Sequence, residues 1–300
     1  MMRLPIDKLP NLQFAEFGQY RLNWRESGDG FPIVLLHGIS SGSTSWICQF
    51  ADSSLTDNYH LFAWDAPGYS DSDPLATRTP VALDYADALT DFLNDLGLQQ
   101  VILVGHSLGA LMACAFASLH PQRVRGLLLA NPAQGYATKS PEERHRVYDK
   151  RREIVCDSGI EAYAQNRAAA LLSPSASAEK IEWVKRNMQK LNPEGFLAAA
   201  WMLAHDDISL YLNAYQGPVE MIVGLDDTIT PPAQVQQLST DKQCPLKVIK
   251  QAGHASYLDA PIEFNLYLKQ FSDALECTDS PKNRFPKDSS QNKASQRKVP

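Results

Sequence analysis

The chain has 300 residues, 44% of them hydrophobic, which is ample apolar surface for a buried core at this size. From Cys277 onward six Lys or Arg stand against two Asp or Glu, so the tail is +4 and the body −10, and an acidic body argues against a nucleic-acid-binding surface. The five cysteines, Cys48, Cys114, Cys156, Cys244 and Cys277, are scattered and odd in number with no C-x-x-C pair, which excludes a disulfide framework and a zinc site and fits a reducing compartment.

The N-terminal MMRLPIDKLPNLQ holds two prolines, an acid and no apolar run, so it is not a secretory signal, and the expected location is cytoplasmic. Ile33 to Leu36 is a short apolar strand followed by His37-Gly38. The stretch from Val101 to Leu119, VILVGHSLGALMACAFASL, carries no charged side chain and is long enough to span a bilayer as one helix. It reads better as two elements. Val101 to Val104 has the composition of a parallel strand buried on both faces, and small apolar residues from Ala110 run at helix-friendly composition to His120-Pro121. Between them lies Gly105-His106-Ser107-Leu108-Gly109, which matches G-x-S-x-G, the nucleophile elbow. A serine in a strained strand-to-helix turn needs almost no side chain two residues to either side, because strand and helix pass close there. The backbone N–H of Leu108 then points at the oxygen of an attacked carbonyl.

Leu127 to Ala130 is another core strand, ending at Asn131-Pro132. The next core strand starts near Val219, far beyond an ordinary loop, and the chain between is helical in character. There Glu142 to Cys156 is rich in charge, Ile181, Val184, Met188 and Leu191 recur at helix spacing, and Pro193-Glu194-Gly195 opens an apolar helix through Trp201-Met202-Leu203. The basic residues Arg144, Arg146, Lys150, Arg151 and Arg152 interleave with Glu142, Glu143 and Asp149 and read as a solvated helix face. Pro218 to Val223 is followed by a loop with two adjacent acids, Asp226 and Asp227, either of which could orient an imidazole. Beyond a last strand, Leu246 to Ile249, His254 follows a glycine in a loop able to swing over the sheet edge. An elbow requires an acid and then a histidine downstream, and this order is present. Residues from Thr278 to Pro300 read as a solvated, disordered basic tail. No repeat, phosphate-binding loop, cofactor motif or metal-ligand cluster stands out.

From about Ile33 to Phe271 the chain resembles the α/β-hydrolase family. The likeness rests on His37-Gly38 after a strand and on Trp64 to Ser72, similar to D-x-x-G-x-G-x-S with Ser70 replacing the second glycine. It rests also on the elbow, on Gly224-x-x-Asp227-x-x-x-Pro231, and on Gly253-His254 followed by Asp259-Ala260-Pro261 where Glu-x-Pro is more usual. The resemblance implies an α/β fold, a mostly parallel central sheet with helices on both faces and a helical cap inserted between two late strands. It places the core at 1–134 and 216–276, the cap at 135–215 and the tail at 277–300. It implies Ser107 as nucleophile, His254 as base and Asp227 rather than Asp226 as the acid, with the backbone N–H groups of Leu108 and Ile39 as the oxyanion hole. Ile39 is expected to line the acyl pocket as well. His37 and His106 are expected to shape the loop and pack beneath the strand, Trp46 to pack past the oxyanion loop, and Trp201, Met202 and Leu203 to line the pocket from the cap.

The expected activity is hydrolysis of a small carboxylic ester or lactone through an acyl-enzyme, without cofactor. A carbon–carbon hydrolase of aromatic ring-cleavage products is an alternative, although Ile39-Ser40-Ser41-Gly42 stands where such enzymes carry Gly-Pro-Gly after His-Gly. A perhydrolase or acyltransferase would use the same acyl-enzyme with another acceptor. A ligand-binding receptor on the same scaffold has no need of a complete Ser–Asp–His set. The expected partner is a small molecule, with no nucleic acid and no membrane span.

Overall fold

The computed structural model describes residues 3–277, so the tail expectation beyond Cys277 lies outside the described residues. The aliphatic runs become one eight-stranded sheet in the order β1-β2-β4-β3-β5-β6-β7-β8. Its strands are β1 (Gln13–Phe17), β2 (Tyr20–Ser27), β3 (Phe31–Leu36), β4 (Tyr59–Asp65), β5 (Val101–His106), β6 (Val124–Ala130), β7 (Val219–Gly224) and β8 (Leu246–Ile249). Only β1 with β2 and β2 with β4 pair antiparallel; every ladder from β4 to β8 is parallel. All six residues of β5 are buried, so both faces of the central strand are covered, and its sequence is a continuous apolar run rather than an alternating one.

The uncharged stretch divides into β5 and a helix, Leu108–Leu119, in which every residue from Leu108 to Ala117 is buried. An all-round apolar helix needs neighbours on all sides. This one packs against β5, against the amphipathic helix Ala82–Asp95 and against Ile208–Ala214. Among the described residues no helix is long and apolar enough to cross a membrane. From β3 the chain steps to β4 on one side and then crosses to β5 on the other. That reversal opens a crevice beyond the carboxyl ends of β3 and β5, the place where ligands bind in such sheets.

Between β6 and β7 the chain leaves the sheet and forms the helices Pro141–Glu153, Gly159–Arg167, Ala178–Met188, Pro193–His205 and Ile208–Ala214. Their starts are written locally: Ser140, Ser177, Asn192 and Asp207 each accept a backbone N–H of the first turn, and Pro141 and Pro193 occupy the first helical position. Val184 and Met188 are buried and Ile181 packs beside them, as the helical spacing predicts, while Leu191 is buried just past the helix end. One of these helices, Pro193–His205, meets the loop after β4 backbone to backbone. A Cβ on Gly195 would lie 1.8 Å from the Gly68 carbonyl oxygen, and one on Gly68 would lie 2.7 Å from Gly195 Cα. Thr44 Oγ1 also donates to Asn187 Oδ1 at 2.8 Å, and Ala255 N–H donates to the Leu171 carbonyl at 2.7 Å.

Candidate active site

The turn after β5 shows why glycine stands on both sides of Ser107. A Cβ on Gly105 would meet Ala110 Cα and the Gly109 carbonyl, both at 2.6 Å. A Cβ on Gly109 would lie 2.3 Å from the Leu36 carbonyl oxygen, at the end of β3. The first glycine clears the elbow's own helix, as expected; the second clears the neighbouring strand instead. Ser107 takes φ 52° and ψ −116°, a strained conformation for a side-chain-bearing residue. Its backbone is fixed by Ser107 N–H donating to Ala130 O at 2.9 Å, and by Ser107 O accepting from Ala110 and Ala133 at 3.0 and 3.1 Å.

Three elements bring polar groups to this serine. Ser107 Oγ lies 2.9 Å from His254 Nε2, and His254 Nδ1 lies 2.9 Å from Asp227 Oδ2. Asp226 is exposed, while Asp227, one residue on, is buried. Burial alone would push the Asp227 carboxyl up, but hydrogen bonds from His254, Thr230 and Asn131 outweigh it and hold the group well below the usual carboxylate range. Its Oδ1 accepts the N–H groups of Ile229 and Thr230 at 2.7 and 3.0 Å; its Oδ2 also accepts Thr230 Oγ1 at 2.6 Å and Asn131 Nδ2 at 2.7 Å. An anion accepting this many donors stays ionised. With the carboxylate as acceptor, the His254 proton sits on Nδ1 and leaves Nε2 free to accept from Ser107.

Asn131 and Thr230 are site residues that the sequence did not single out. Asn131 is fully buried just past β6, and its Oδ1 accepts from Ser256 Oγ at 2.6 Å, so it ties the acid to the histidine loop. The available signals were a polar residue at a core-strand end and a threonine three residues after the acid. Asp259, where glutamate is more usual, accepts from Gly253 N–H at 2.8 Å and from Ser173 N–H at 2.6 Å, so the shorter acid still holds the loop of His254.

Two further histidines near the elbow, His37 and His106, are held toward their neutral forms by burial. Burial above all, then the neighbouring His254 imidazole, pulls His106 down to about 3; its Nε2–H donates to the His254 carbonyl at 2.8 Å while its ring meets Tyr257 edge-on. Burial pulls His37 down to about 4, and its Nε2 accepts from Ala66 N–H at 3.0 Å, which puts its proton on Nδ1, donating to Gly38 O at 2.9 Å. Trp46 is fully buried against Tyr257, centroids 4.8 Å apart.

Beside Ser107 runs the loop after β3, so close that a Cβ on Gly38 would lie 3.0 Å from Ser107 Cβ. The Ile39 carbonyl accepts from Tyr69 OH at 3.0 Å, which fixes the orientation of this loop. Leu108 opens its helix, so its N–H has no partner within the helix. Ile39, Leu108, Ser107 and His254 all line one cavity of about 490 Å³. The segment between β6 and β7 also lines it, through Tyr136 in its first loop and Arg151, Tyr163, Arg167 and Leu203 in its helices. Of the three consecutive residues expected there, only Leu203 lines it. Successive helix residues turn by about 100°: Met202 is fully buried in the core, and Trp201 points elsewhere, stacked on His205 at 3.8 Å. Arg151 corrects the sequence in the opposite sense. It faces the cavity, whereas the sequence read it as part of a solvated face. Among the described residues no group of three or more His, Cys, Asp or Glu could hold a metal ion.

A family profile described as alpha/beta hydrolase fold matches residues 32–261. An uncharacterized protein of Mycobacterium tuberculosis is 37% identical over 295 residues, covering 89% of this chain and 82% of its own. A 2-hydroxy-6-oxononadienedioate/2-hydroxy-6-oxononatrienedioate hydrolase of Pseudomonas putida is 32% identical over 144 residues, 46% of this chain and 50% of its own. Among solved structures, a thermophilic esterase from Thermogutta terrifontis with malate bound superposes with a TM-score of 0.78 at 26% identity, covering 88% of this chain and 99% of that one. The matched span takes in the strands from β3 to β8, the elbow and both downstream loops, and the chain belongs to the alpha/beta hydrolase fold family.

Proposed function

We propose that the protein is a serine hydrolase that cleaves a small carboxylic ester or lactone through an acyl-enzyme on Ser107. The observation that carries this reading is the unbroken relay from Ser107 Oγ through His254 to Asp227, with both links at 2.9 Å, at a strained turn that faces a cavity. In this reading Ser107 Oγ attacks the substrate carbonyl while His254 Nε2 takes its proton. Asp227 holds the imidazole orientation and stabilises the imidazolium without itself taking the proton. The N–H groups of Leu108 and Ile39 receive the developing oxyanion. His254 then protonates the leaving alkoxide, which departs as an alcohol or, from a lactone, stays tethered to the acyl group. Water, deprotonated by the same histidine, releases the acid and restores Ser107. The segment 135–215 acts as the cap that encloses the substrate's non-reacting part.

The test is rapid-mixing release of p-nitrophenol from p-nitrophenyl butyrate by the wild type and by Ser107→Ala. The expected result is a burst near one equivalent in the wild type, absent in the folded variant, with steady turnover reduced by about 10⁴-fold or more. Equal release by the two proteins refutes the reading. The Pseudomonas putida relative supports a second one, hydrolysis of a carbon–carbon bond in a ring-cleavage product by the same relay. Loss of a dienoate chromophore on incubation, with no burst from esters, selects it.

A further inference from the structure

Arg151 is a charge beside the relay that the proposed chemistry does not use. It sits late in the helix Pro141–Glu153, half-buried, in the wall of the cavity that Ser107 and His254 also line. Its guanidinium donates within its own helix, Nη1 to the Val147 carbonyl at 2.7 Å. Among the described residues no carboxylate lies within ion-pair distance of it. The acid nearest in sequence, Asp149, pairs instead with Arg152 at 3.3 Å. A second cation, Arg167, lines the same cavity and is near enough to repel Arg151, and Lys139 adds a third against the single acid Glu143. In a chain of net charge −6, this wall is cationic. Burial above all lowers the Arg151 pKa, and the phenols of Tyr163 and Tyr136 only partly offset it. Tyr163 in turn meets Ser40 Oγ at 2.8 Å, which links this wall to the loop carrying Ile39.

We infer that Arg151, assisted by Arg167, binds a carboxylate on the part of the substrate remote from the bond that is cleaved. The inference rests on the hydrolase reading and narrows it: the substrates are monoesters or lactones that carry a free carboxylate, and the product of a simple monoester is a dicarboxylic acid. A guanidinium half-buried in a cavity wall, beside a second cation and with no carboxylate in ion-pair reach among the described residues, is open to an anion entering the cavity. An entering carboxylate supplies a two-pronged acceptor matched to its fork of donors. A neutral ester of the same length leaves that fork unpaired.

The test is calorimetric binding to Ser107→Ala, which leaves esters intact, using the monomethyl and dimethyl esters of succinate, glutarate and adipate. The expected result is a preference of about tenfold or more for the monoanion at one chain length. Arg151→Gln in the same background should abolish it, Arg151→Lys should restore part of it, and Arg167→Gln should weaken it. The Arg167 position is exposed, so that variant tests the inference even if Arg151→Gln fails to fold. Equal affinity for charged and neutral esters at every length overturns the inference, as does a preference untouched by both glutamine variants. Labelling of wild-type Ser107 by a fluorophosphonate separates the two readings. Labelling without carboxylate preference rejects this inference alone; preference without labelling rejects the hydrolase chemistry and leaves the carboxylate site standing.

Discussion

At Ser107 the backbone and the chemistry want different residues. A side chain at φ 52°, ψ −116° carries strain that glycine does not. Ser107→Gly is therefore expected to raise the unfolding free energy by about 1 kcal/mol while abolishing turnover, a pairing read from urea unfolding and p-nitrophenyl butyrate assays. Thr230 supports the relay from one side by donating to Asp227 Oδ2 at 2.6 Å. Thr230→Val keeps the shape and deletes that donor; kcat/KM should fall by about 10- to 100-fold, the worth of a hydrogen bond to a charge, and Thr230→Ser should recover most of it. The residues that the elbow's geometry and chemistry demand are legible in the sequence: the glycines flanking Ser107, and the downstream order of acid and histidine. Asn131 was not, because its partner Asp227 is 96 positions away and nothing local marks an asparagine that meets an acid. Arg151 was hidden for a related reason. Charge interleaving says that a helix is amphipathic or solvated, and does not say which side folds against a cavity.

At the level of elements, the elbow depends on two neighbouring strands. Gly109 clears the end of β3, where an added Cβ would lie 2.3 Å from the Leu36 carbonyl. Neither backbone can retreat cheaply, since β3 pairs with both β4 and β5 and the elbow helix is buried along most of its length. Gly109→Ala should cost roughly 1–3 kcal/mol of stability through overpacking. It should also cut kcat by about 100-fold by displacing Ser107 from His254, as thermal denaturation and burst amplitude would show. The parallel strands β3, β5, β6, β7 and β8 are legible as short apolar runs and differ only at their ends, as where β5 continues through Gly105 and His106, which still pair with Leu129 and Ala130; β4, Tyr59–Asp65, is not singled out as a strand in the sequence. The antiparallel edge, β1 and β2, lacks such a run. Its residues are partly exposed, and its pairing is fixed by tertiary contact rather than by composition.

Across the whole molecule, buried titratable groups set the acid stability. His106 and His37 are held to about 3 and about 4, chiefly by burial, against about 6.5 in the unfolded chain. Each takes up its proton in the unfolded state first, so the stability it contributes is complete above pH 6.5 and is lost as pH falls toward the folded value. Asp65 works in the opposite direction: burial lifts it to about 6, against the hydrogen bonds from Ser43, so it protonates first in the folded state and adds stability as pH falls from about 6 toward 4. Each of the two histidines therefore adds up to about one proton to the slope of stability against pH in that window, and Asp65 takes up to about one away. His106→Asn should flatten it by about 1.4 kcal/mol per pH unit, measured as urea unfolding free energy between pH 6 and 4.5. A slope identical to wild type would mean that the unfolded-state proton on His106 is not what drives the acid limb.

The contact between Gly68 and Gly195 reaches furthest. Because the two backbones touch where neither residue has a side chain, the seat of the inserted helices is separate from the surface they show to the cavity. Arg151, whose side-chain hydrogen bond stays within its own helix, and Leu203 can be exchanged for other side chains without altering the Gly68–Gly195 contact, whereas Tyr163 also ties the insertion to Ser40. Selectivity is then free to drift over generations while alignment stays put. The converse restricts engineering. An insertion transplanted from a relative must bring a glycine to the place of Gly195, or it will stand off the sheet however well its inner face suits the new substrate.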